Sequence, residues 1–546
     1  MKNSTDTMLV TCAFPYANGD IHLGHLLEHI QADIWIRYYR MKGRSVIFIC
    51  SDDAHGTAIM LQAKKMKINP ERLIENVYQR HRSSFLKFSI FHDHYSSTHS
   101  KTNEKTCKKI FNILKRKDLI QEKVITQLYD VKLNIFLSDR FVRGTCPTCR
   151  AKRQYGDNCE ICGAIYDATE LLNPVSELSN SSPQIKSSKH LFFKLSYFSE
   201  FLKRWVNSGT VQASVANHLN RWLAMGLRSW NISRDKPYFG FLIPGYVDKF
   251  FYVWMDAPIG YISSFKELCN EDDKINFCNF WSRQSKHELY HFIGKDIVYF
   301  HSLFWPAILE GCDYRKPTKI FAHGYLKFNG SKLSKSKGTI ISVDQWLSYF
   351  DSDSLRYYLA SKLSDTIEDI EINVYDYAYK INSDIVNNII NLASRSASFL
   401  KKHFFNILSD CIIEKSIYKN FVDKSIEIDI SFQERKFSLV VKAIRNLSDI
   451  ANKYINTTKP WILIKQKSSR NYVHGICSLG INLFRILMIF LKPIMPNLVR
   501  KSELFLNTPL QWTQINKPLL NHKINDFSCL YERIKISYVD EFMRKI

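Results

Sequence analysis

Residues 8–14 form an apolar, β-prone run that ends at Pro15 and the turn pair Asn18-Gly19. That is the signature of a buried strand closed by a turn. Beyond it, Leu26, Ile30, Ile34 and Tyr38 recur at helical spacing, and Gly43 offers a C-terminal stop. Residues 46–50 read as a second strand, with Asp52 and Asp53 at its carboxyl end, where open parallel sheets bind ligands. A strand feeding a helix through a tight turn, then a second strand, restricts the N-terminal region to an α/β parallel-sheet fold.

The turn carries His22-Leu23-Gly24-His25. Backbone N–H groups and the positive end of a helix point there at whatever binds above the strand, which suits a triphosphate. Gly24 is expected to let a nucleotide approach the backbone without a Cβ in the way. His22 and His25 can donate hydrogen bonds to phosphate oxygens as charge shifts. Taken alone, the motif is matched as well by a pair of surface turn histidines. A second motif, Lys332-Leu333-Ser334-Lys335-Ser336, continues to Lys337 and lies between Gly330 and Gly338. Such a cationic, hydroxyl-rich loop can close on a pyrophosphate leaving group, with Lys332 and Lys335 as catalytic candidates and Ser334 on the nucleotide. A solvated basic loop is the alternative, and the order and pairing of the two motifs argue against it.

Cys146, Cys149, Cys159 and Cys162 form two Cys-x-x-Cys pairs nine residues apart. Four soft ligands in that spacing suit one tetrahedral structural zinc per chain, with Gly156 and Gly163 in the knuckle turns. Tandem pairs disfavour a redox dithiol. The other nine of the 13 cysteines are dispersed, and disulfides are not expected in a reducing compartment.

The sheet pattern breaks off over residues 119–236, which hold the cysteine cluster and a polar stretch at 176–188. It resumes with strand-like runs at 249–254 and 289–293. The expected organisation is a Rossmann-like catalytic domain in two halves, 1–118 and 237–325, split by a zinc-containing insertion, 119–236. A lysine-loop region follows at 326–375, with residues 344–363 helical, and an all-α domain at 376–546. The 546 residues suffice for several domains, and 45% hydrophobic with 14% aromatic content excludes a disordered chain. The net charge of +24 favours a polyanionic partner, although compositional drift toward lysine explains it equally well. No signal peptide is visible, and residues 483–495, interrupted by Arg485, Lys492 and Pro493, read as a buried helix. A soluble, cytoplasmic protein without membrane contact is expected.

The two motifs resemble the His-Ile-Gly-His and Lys-Met-Ser-Lys-Ser signatures of class I aminoacyl-tRNA synthetases. Residues 11–19 (TCAFPYANG), 52–57 (DDAHGT), 252–260 (YVWMDAPIG), 292–296 (FIGKD) and 456–461 (NTTKPW) are similar to the bacterial methionyl enzymes. Leu23 and Leu333 depart from the commonest residues of the signatures, as conservative apolar replacements. The resemblance implies methionine activation by ATP, with magnesium, to methionyl-adenylate, and transfer to the 3′ end of initiator and elongator tRNA(Met). It implies a methionine pocket of Phe14, Tyr16, Asp53, Trp254, Ala257, Pro258, Tyr261, Ile297 and His301, with Asp53 on the substrate ammonium. Phe14 replaces the leucine usual there. Gly24, Gly294, Asp296, Ser334 and Lys335 match ATP-site positions. Asn391, Arg395 and Trp461 match positions that read the CAU anticodon. The resemblance also places zinc in the insertion. Leucyl, isoleucyl and valyl enzymes carry a larger editing insertion, and a cysteinyl enzyme would hold zinc in its active site. A tRNA-binding protein without activity is disfavoured by two intact signatures. The chain ends soon after the helical region, so a monomer is expected.

Overall fold

The computed structural model describes residues 6–137, 141–156, 159, 161–162, 164, 166–328, 331–332 and 340–546. Gly330, Leu333, Ser334, Lys335 and Lys337 lie outside the described residues, and of Lys332 only the backbone is described.

Five parallel strands form the central sheet: β1 (Met8–Cys12), β2 (Val46–Asp52), β3 (His94–Ser97), β4 (Glu288–Gly294) and β5 (Lys319–His323). Their order is β5-β4-β1-β2-β3. The chain leaves β1 toward β2 and β3, then returns on the other side through β4. The carboxyl ends of β1 and β4 therefore flank a reversal of strand order, where a crevice opens in such sheets. Successive residues of β1 point to opposite faces. Met8, Val10 and Cys12 join the core under helix Leu23–Met41, while Leu9 joins the core on the other side. Both faces are covered, which explains why these strands read as continuous apolar runs rather than alternating ones.

The insertion is built on an antiparallel pair, Ile120–Asp130 with Gln184–Phe193. The polar stretch at 176–188 thus ends inside a strand whose first four residues are exposed on both faces. A small sheet of Val142–Thr145, Gln154–Tyr155 and Leu172–Ser176 carries the cysteine cluster over its own core, in which Cys146 and Cys159 are buried.

Two expected elements differ in extent. The strand expected at 249–254 is Lys249–Phe251, and a helix starts at Val253 with Asp256 in its first turn, where a carboxylate meets the positive helix end. The helix expected at 344–363 is two helices, Val343–Leu347 and Ser352–Ala360. The Asp351 side chain accepts from Ser354 N–H and caps the second. The C-terminal region is helical as read, up to Leu506. Residues 507–535 then cross the bundle with only a short 3₁₀ turn, burying isolated Leu510, Ile524 and Leu530.

Helix Arg470–Leu491 is the centre of that bundle, buried almost without break from Gly475 to Leu491. The segment Lys467–Leu491 is long and apolar enough to cross a membrane, yet 94% of its apolar window is buried inside the protein. One apolar core runs from β1 and β2 through helix Leu23–Met41 into this bundle. Tyr38 stacks on Phe432, with ring centroids 4.9 Å apart, and donates to Asp429. Arg356, fully buried, pairs with Asp33 and donates to the carbonyls of Phe88, Pro493 and Ile494. The sheet domain and the helical bundle are therefore docked by burial and by a satisfied buried cation.

Candidate active site

His22 caps helix Leu23–Met41, and its Nδ1 accepts from Gly24 N–H at 3.1 Å. His25 Nδ1 accepts from His22 N–H at 3.3 Å, closing a reciprocal capping box. The two rings stack with centroids 3.8 Å apart. Because each Nδ1 accepts, each neutral ring carries its proton on Nε2. A Cβ at residue 24 would lie 2.9 Å from His22 Cε1. Gly24 thus makes room for the capping imidazole, a reason the nucleotide argument did not supply. Directly after the lysine loop, Ile341 C=O accepts from Leu23 N–H at 3.1 Å, and Val343 N–H reaches Ile21 C=O. Before the loop, Lys332 pairs in register with Lys327. Lys332 on one side of residues 333–339 and Ile341 on the other are thus both paired, Ile341 with the His22 turn.

Beyond β1, the Tyr16 and Asp53 backbones pair across the carboxyl ends of β1 and β2. Asp53 Oδ1 is buried without a hydrogen-bond partner. Burial, then Asp256 and Asp52, push its carboxyl well above the usual carboxylate range. Such a group is relieved by a cation bound beside it. Gly56, at φ 115°, leaves space for the Tyr16 hydroxyl, since a Cβ there would lie 2.8 Å from it. Next to this carboxyl, helix Val253–Glu271 supplies Trp254, Ala257, Pro258 and Tyr261. The Phe14 and Tyr261 rings lie 4.5 Å apart. Trp254 stacks on Phe300 at 3.7 Å. His301 is buried, and burial lowers it to about 4, so it is neutral. Its Nδ1–H donates to Ile297 C=O at 3.1 Å, so Nε2 accepts from the Tyr261 hydroxyl at 2.9 Å. The walls are aromatic and the Tyr261–His301 edge is a neutral, satisfied pair, which suits an apolar, polarizable side chain. At the end of β4, a Cβ on Gly294 would lie 2.7 Å from Asp296 Oδ1, so the glycine lets that carboxylate fold back over the strand end.

The family model described as class I tRNA synthetases (M) matches residues 8–397. Methionine–tRNA ligases of two Buchnera aphidicola subspecies are 55% identical. The one from subsp. Acyrthosiphon pisum (strain Tuc7) aligns over 98% of both chains, that from subsp. Baizongia pistaciae (strain Bp) over 97% of both. The chain belongs to the class I methionyl-tRNA synthetases. Its fold also matches the Mycobacterium tuberculosis methionyl-tRNA synthetase in complex with methionyl-adenylate, with a TM-score of 0.80 at 22% identity over 97% of this chain and all of that one.

In this synthetase the four cysteine sulfurs lie within 4.8 Å of one another. Cys146 and Cys162 are 3.9 Å apart and Cys149 and Cys159 3.5 Å. A tetrahedral zinc with bonds of about 2.3 Å sets sulfurs roughly 3.8 Å apart. The N–H groups of Cys149 and Cys162 point at Cys146 Sγ and Cys159 Sγ, each at 3.4 Å, in keeping with thiolate ligands. The donor set fits a closed zinc site.

On the helical domain, Asn391 and Arg395 lie one turn apart on helix Asn391–Phe404. Arg395 donates to Asn456 Oδ1 at 2.8 Å and lies 4.9 Å from the Trp461 ring centroid. Trp461 is 36% exposed, while Pro460 beneath it is buried. The fold thus brings Arg395 and Trp461, distant in sequence, onto one face.

Some residues of the site escaped the sequence reading. Glu28 accepts from Ala13 N–H at 2.6 Å and pairs with His323 at 3.2 Å, fixing the end of β1 to the end of β5. A carboxylate on the apolar face of an amphipathic helix was the available signal. Asp256 is buried against His55, whose Nε2 lies 2.8 Å from His99 Nδ1. Nothing local in the sequence marks His99 as a partner of His55.

Proposed function

We propose that this synthetase activates methionine with ATP and transfers the methionyl group to the 3′ end of tRNA(Met), serving both initiation and elongation. Methionine binds with its ammonium on Asp53 and its thioether among Phe14, Tyr16, Trp254, Ala257, Pro258, Tyr261, Ile297 and His301. Its carboxylate then attacks the α-phosphate of ATP, the bond to the pyrophosphate breaks, and methionyl-adenylate forms. His22 and His25 donate from Nε2 to phosphate oxygens whose charge grows in the transition state. Gly24, Gly294 and Asp296 shape the nucleotide site, while Ser334, Lys332 and Lys335 of the adjoining loop carry leaving-group charge. No protein nucleophile is needed; positioning and electrostatics suffice. The adenylate ester is then attacked by a terminal ribose hydroxyl of tRNA, releasing AMP.

Magnesium accompanying ATP would neutralise phosphate charge. One zinc held by Cys146, Cys149, Cys159 and Cys162 would stiffen the insertion without entering the chemistry. Asn391, Arg395 and Trp461 would read the anticodon, the tryptophan by stacking on an unstacked base. The enzyme would act in the cytoplasm as a monomer. The proposal keeps the expected organisation: catalytic halves 1–118 and 237–325 around insertion 119–236, then 326–375 and the anticodon domain 376–546.

The observation that carries the reading is the Asp53 carboxyl, its Oδ1 buried without a hydrogen-bond partner, beside an aromatic pocket. The test is ATP–pyrophosphate exchange across the amino acids. Methionine alone should support exchange, and Asp53→Asn should abolish it; exchange with another amino acid overturns the assignment.

A further inference from the structure

Three carboxylates crowd the floor of the site: Asp52, Asp53 and Asp256. Asp52 and Asp256 are each 1% exposed. Each of these two has an imidazole partner and Asp53 has none. Asp256 faces His55, and Asp52 faces His81, whose Nδ1 lies 2.7 Å from Asp52 Oδ1. His81 comes from the middle of helix Pro70–Lys87 and is fully buried. Its other nitrogen, Nε2, lies 2.7 Å from the carbonyl oxygen of Gly19.

The proton count follows from the partners. A carbonyl oxygen only accepts, so Nε2 carries a proton. A second proton must lie in the Nδ1–Oδ1 contact, because two lone pairs would repel at that distance. Two protons on an imidazole and a carboxylate leave the pair with no net charge, wherever the second one sits. The Tyr95 hydroxyl donates to the same Asp52 oxygen. Asp52 is therefore a buried carboxylate with its charge cancelled at contact distance. Gly19 belongs to the turn that leads into His22, so the same ring ties that turn to the end of β2.

We propose that His81 is a positioning residue: it cancels the charge of Asp52 so that Asp53 remains the ionised acceptor for the substrate ammonium, and it pins the Gly19 turn ahead of His22. This rests on the reading of Asp53 as the ammonium site. Asp53 is already hard to ionise, through burial and the neighbouring carboxylates Asp256 and Asp52. Leaving Asp52 uncompensated would raise it further. The remaining titratable groups around the cluster include tyrosines, histidines, one cysteine and two arginines. Tyr16 and Tyr261 face Asp53 from the β1 loop and helix Val253–Glu271, and burial pushes both phenols up. Tyr78, with Arg82, and Tyr95 flank Asp52, and Cys50 lies on its own strand. His99 adjoins His55, and Arg234 lies over the Tyr252 ring.

The test is kcat/KM for methionine in pyrophosphate exchange, from pH 6 to 9, in the wild type, His81→Gln, Asp52→Asn and the double variant. Glutamine brings no titratable proton, so it cannot keep the Asp52 contact free of net charge as the imidazole does. His81→Gln should lose about tenfold or more at pH 7, because an uncompensated Asp52 leaves less of Asp53 ionised. The deficit should shrink as pH rises, because Asp53 ionises again. Adding Asp52→Asn should restore most of the loss, since no charge is left to cancel. A loss that is flat with pH, or that Asp52→Asn leaves in place, overturns the proposal. If His81→Gln does not fold, Asp52→Asn alone decides. It should stay within about threefold of the wild type, and a loss at the level of Asp53→Asn would make Asp52 the ammonium acceptor instead. A wild type without methionine-dependent exchange overturns the functional reading itself. A wild type with exchange and an unchanged His81→Gln profile overturns only the role of His81.

Discussion

Gly260→Ala probes how Phe14 fits the methionine pocket. Residue 260 lies on the buried part of helix Val253–Glu271, where alanine is the better helix former. Its added Cβ would meet Phe14 Cε2 at 2.7 Å and Thr98 Cγ2 at 3.2 Å. Carbon contacts are comfortable from about 3.5 Å, so the Phe14 ring must retreat by roughly 1 Å. Overpacking of that size costs about 1–3 kcal/mol. The ring is wedged against Tyr261, whose hydroxyl is committed to His301, so it yields toward the open side, which is the proposed methionine pocket. The cost should appear in methionine use as a KM rise of roughly 5- to 150-fold, at about 1.4 kcal/mol per decade. Phe14→Leu shortens the side chain at the point of contact. The double variant Gly260→Ala/Phe14→Leu should recover most of the loss, giving a coupling energy of about 1–2 kcal/mol. The assay is methionine-dependent pyrophosphate exchange on all four proteins, with KM for ATP as the internal control. A Gly260→Ala enzyme with normal methionine KM, or one that Phe14→Leu fails to rescue, would refute the wedge.

Four further outcomes are expected. Purified protein should contain one sulfur-bound zinc by elemental analysis and X-ray absorption, and Cys146→Ser/Cys159→Ser should lose the metal and unfold the insertion first. Trp461→Ala should lose about 1–3 kcal/mol of tRNA recognition, read in aminoacylation, with adenylate formation nearly untouched. Lys335→Ala should slow adenylate formation by orders of magnitude in stopped-flow fluorescence while methionine binding changes little; near wild-type rates would reduce the loop to a solvated turn. His301 is held near 4 in the folded chain against about 6.5 unfolded, so between these values the unfolded state binds the extra proton. Stability from this residue is present above about pH 6.5 and falls as pH drops toward 4, by up to about 3 kcal/mol; denaturant midpoints of wild type and His301→Gln should converge on acidification.

The sequence by itself determined the elements whose signal is local. The apolar runs at β1 and β2 with their turns, the helical period from Leu26 to Tyr38 and the tandem Cys-x-x-Cys pairs each follow from short-range pattern. The buried helix expected at 483–495 is present as far as Leu491, where the helix ends, and its burial, not the charges Arg485 and Lys492, separates it from a membrane-length run. The resemblance to class I synthetases supplied the proposed pocket residues, and no periodicity would have. Tertiary structure decided what depends on distant partners. Residues 344–363 carry one helical pattern, but the Asp351 cap and the packing of Tyr357 and Tyr358 split it. Gly24 and Gly260 look alike in sequence; one admits an imidazole, the other a phenyl ring, because of what folds against them. Glu28 meets His323, Asp52 meets His81 and Arg356 meets Asp33 across 29 to 323 residues of chain. A buried charge must find its counter-charge to be tolerated at all. Local pattern shows only that such a residue is out of place on an apolar face; the fold alone names its partner, and here those partners hold the site together.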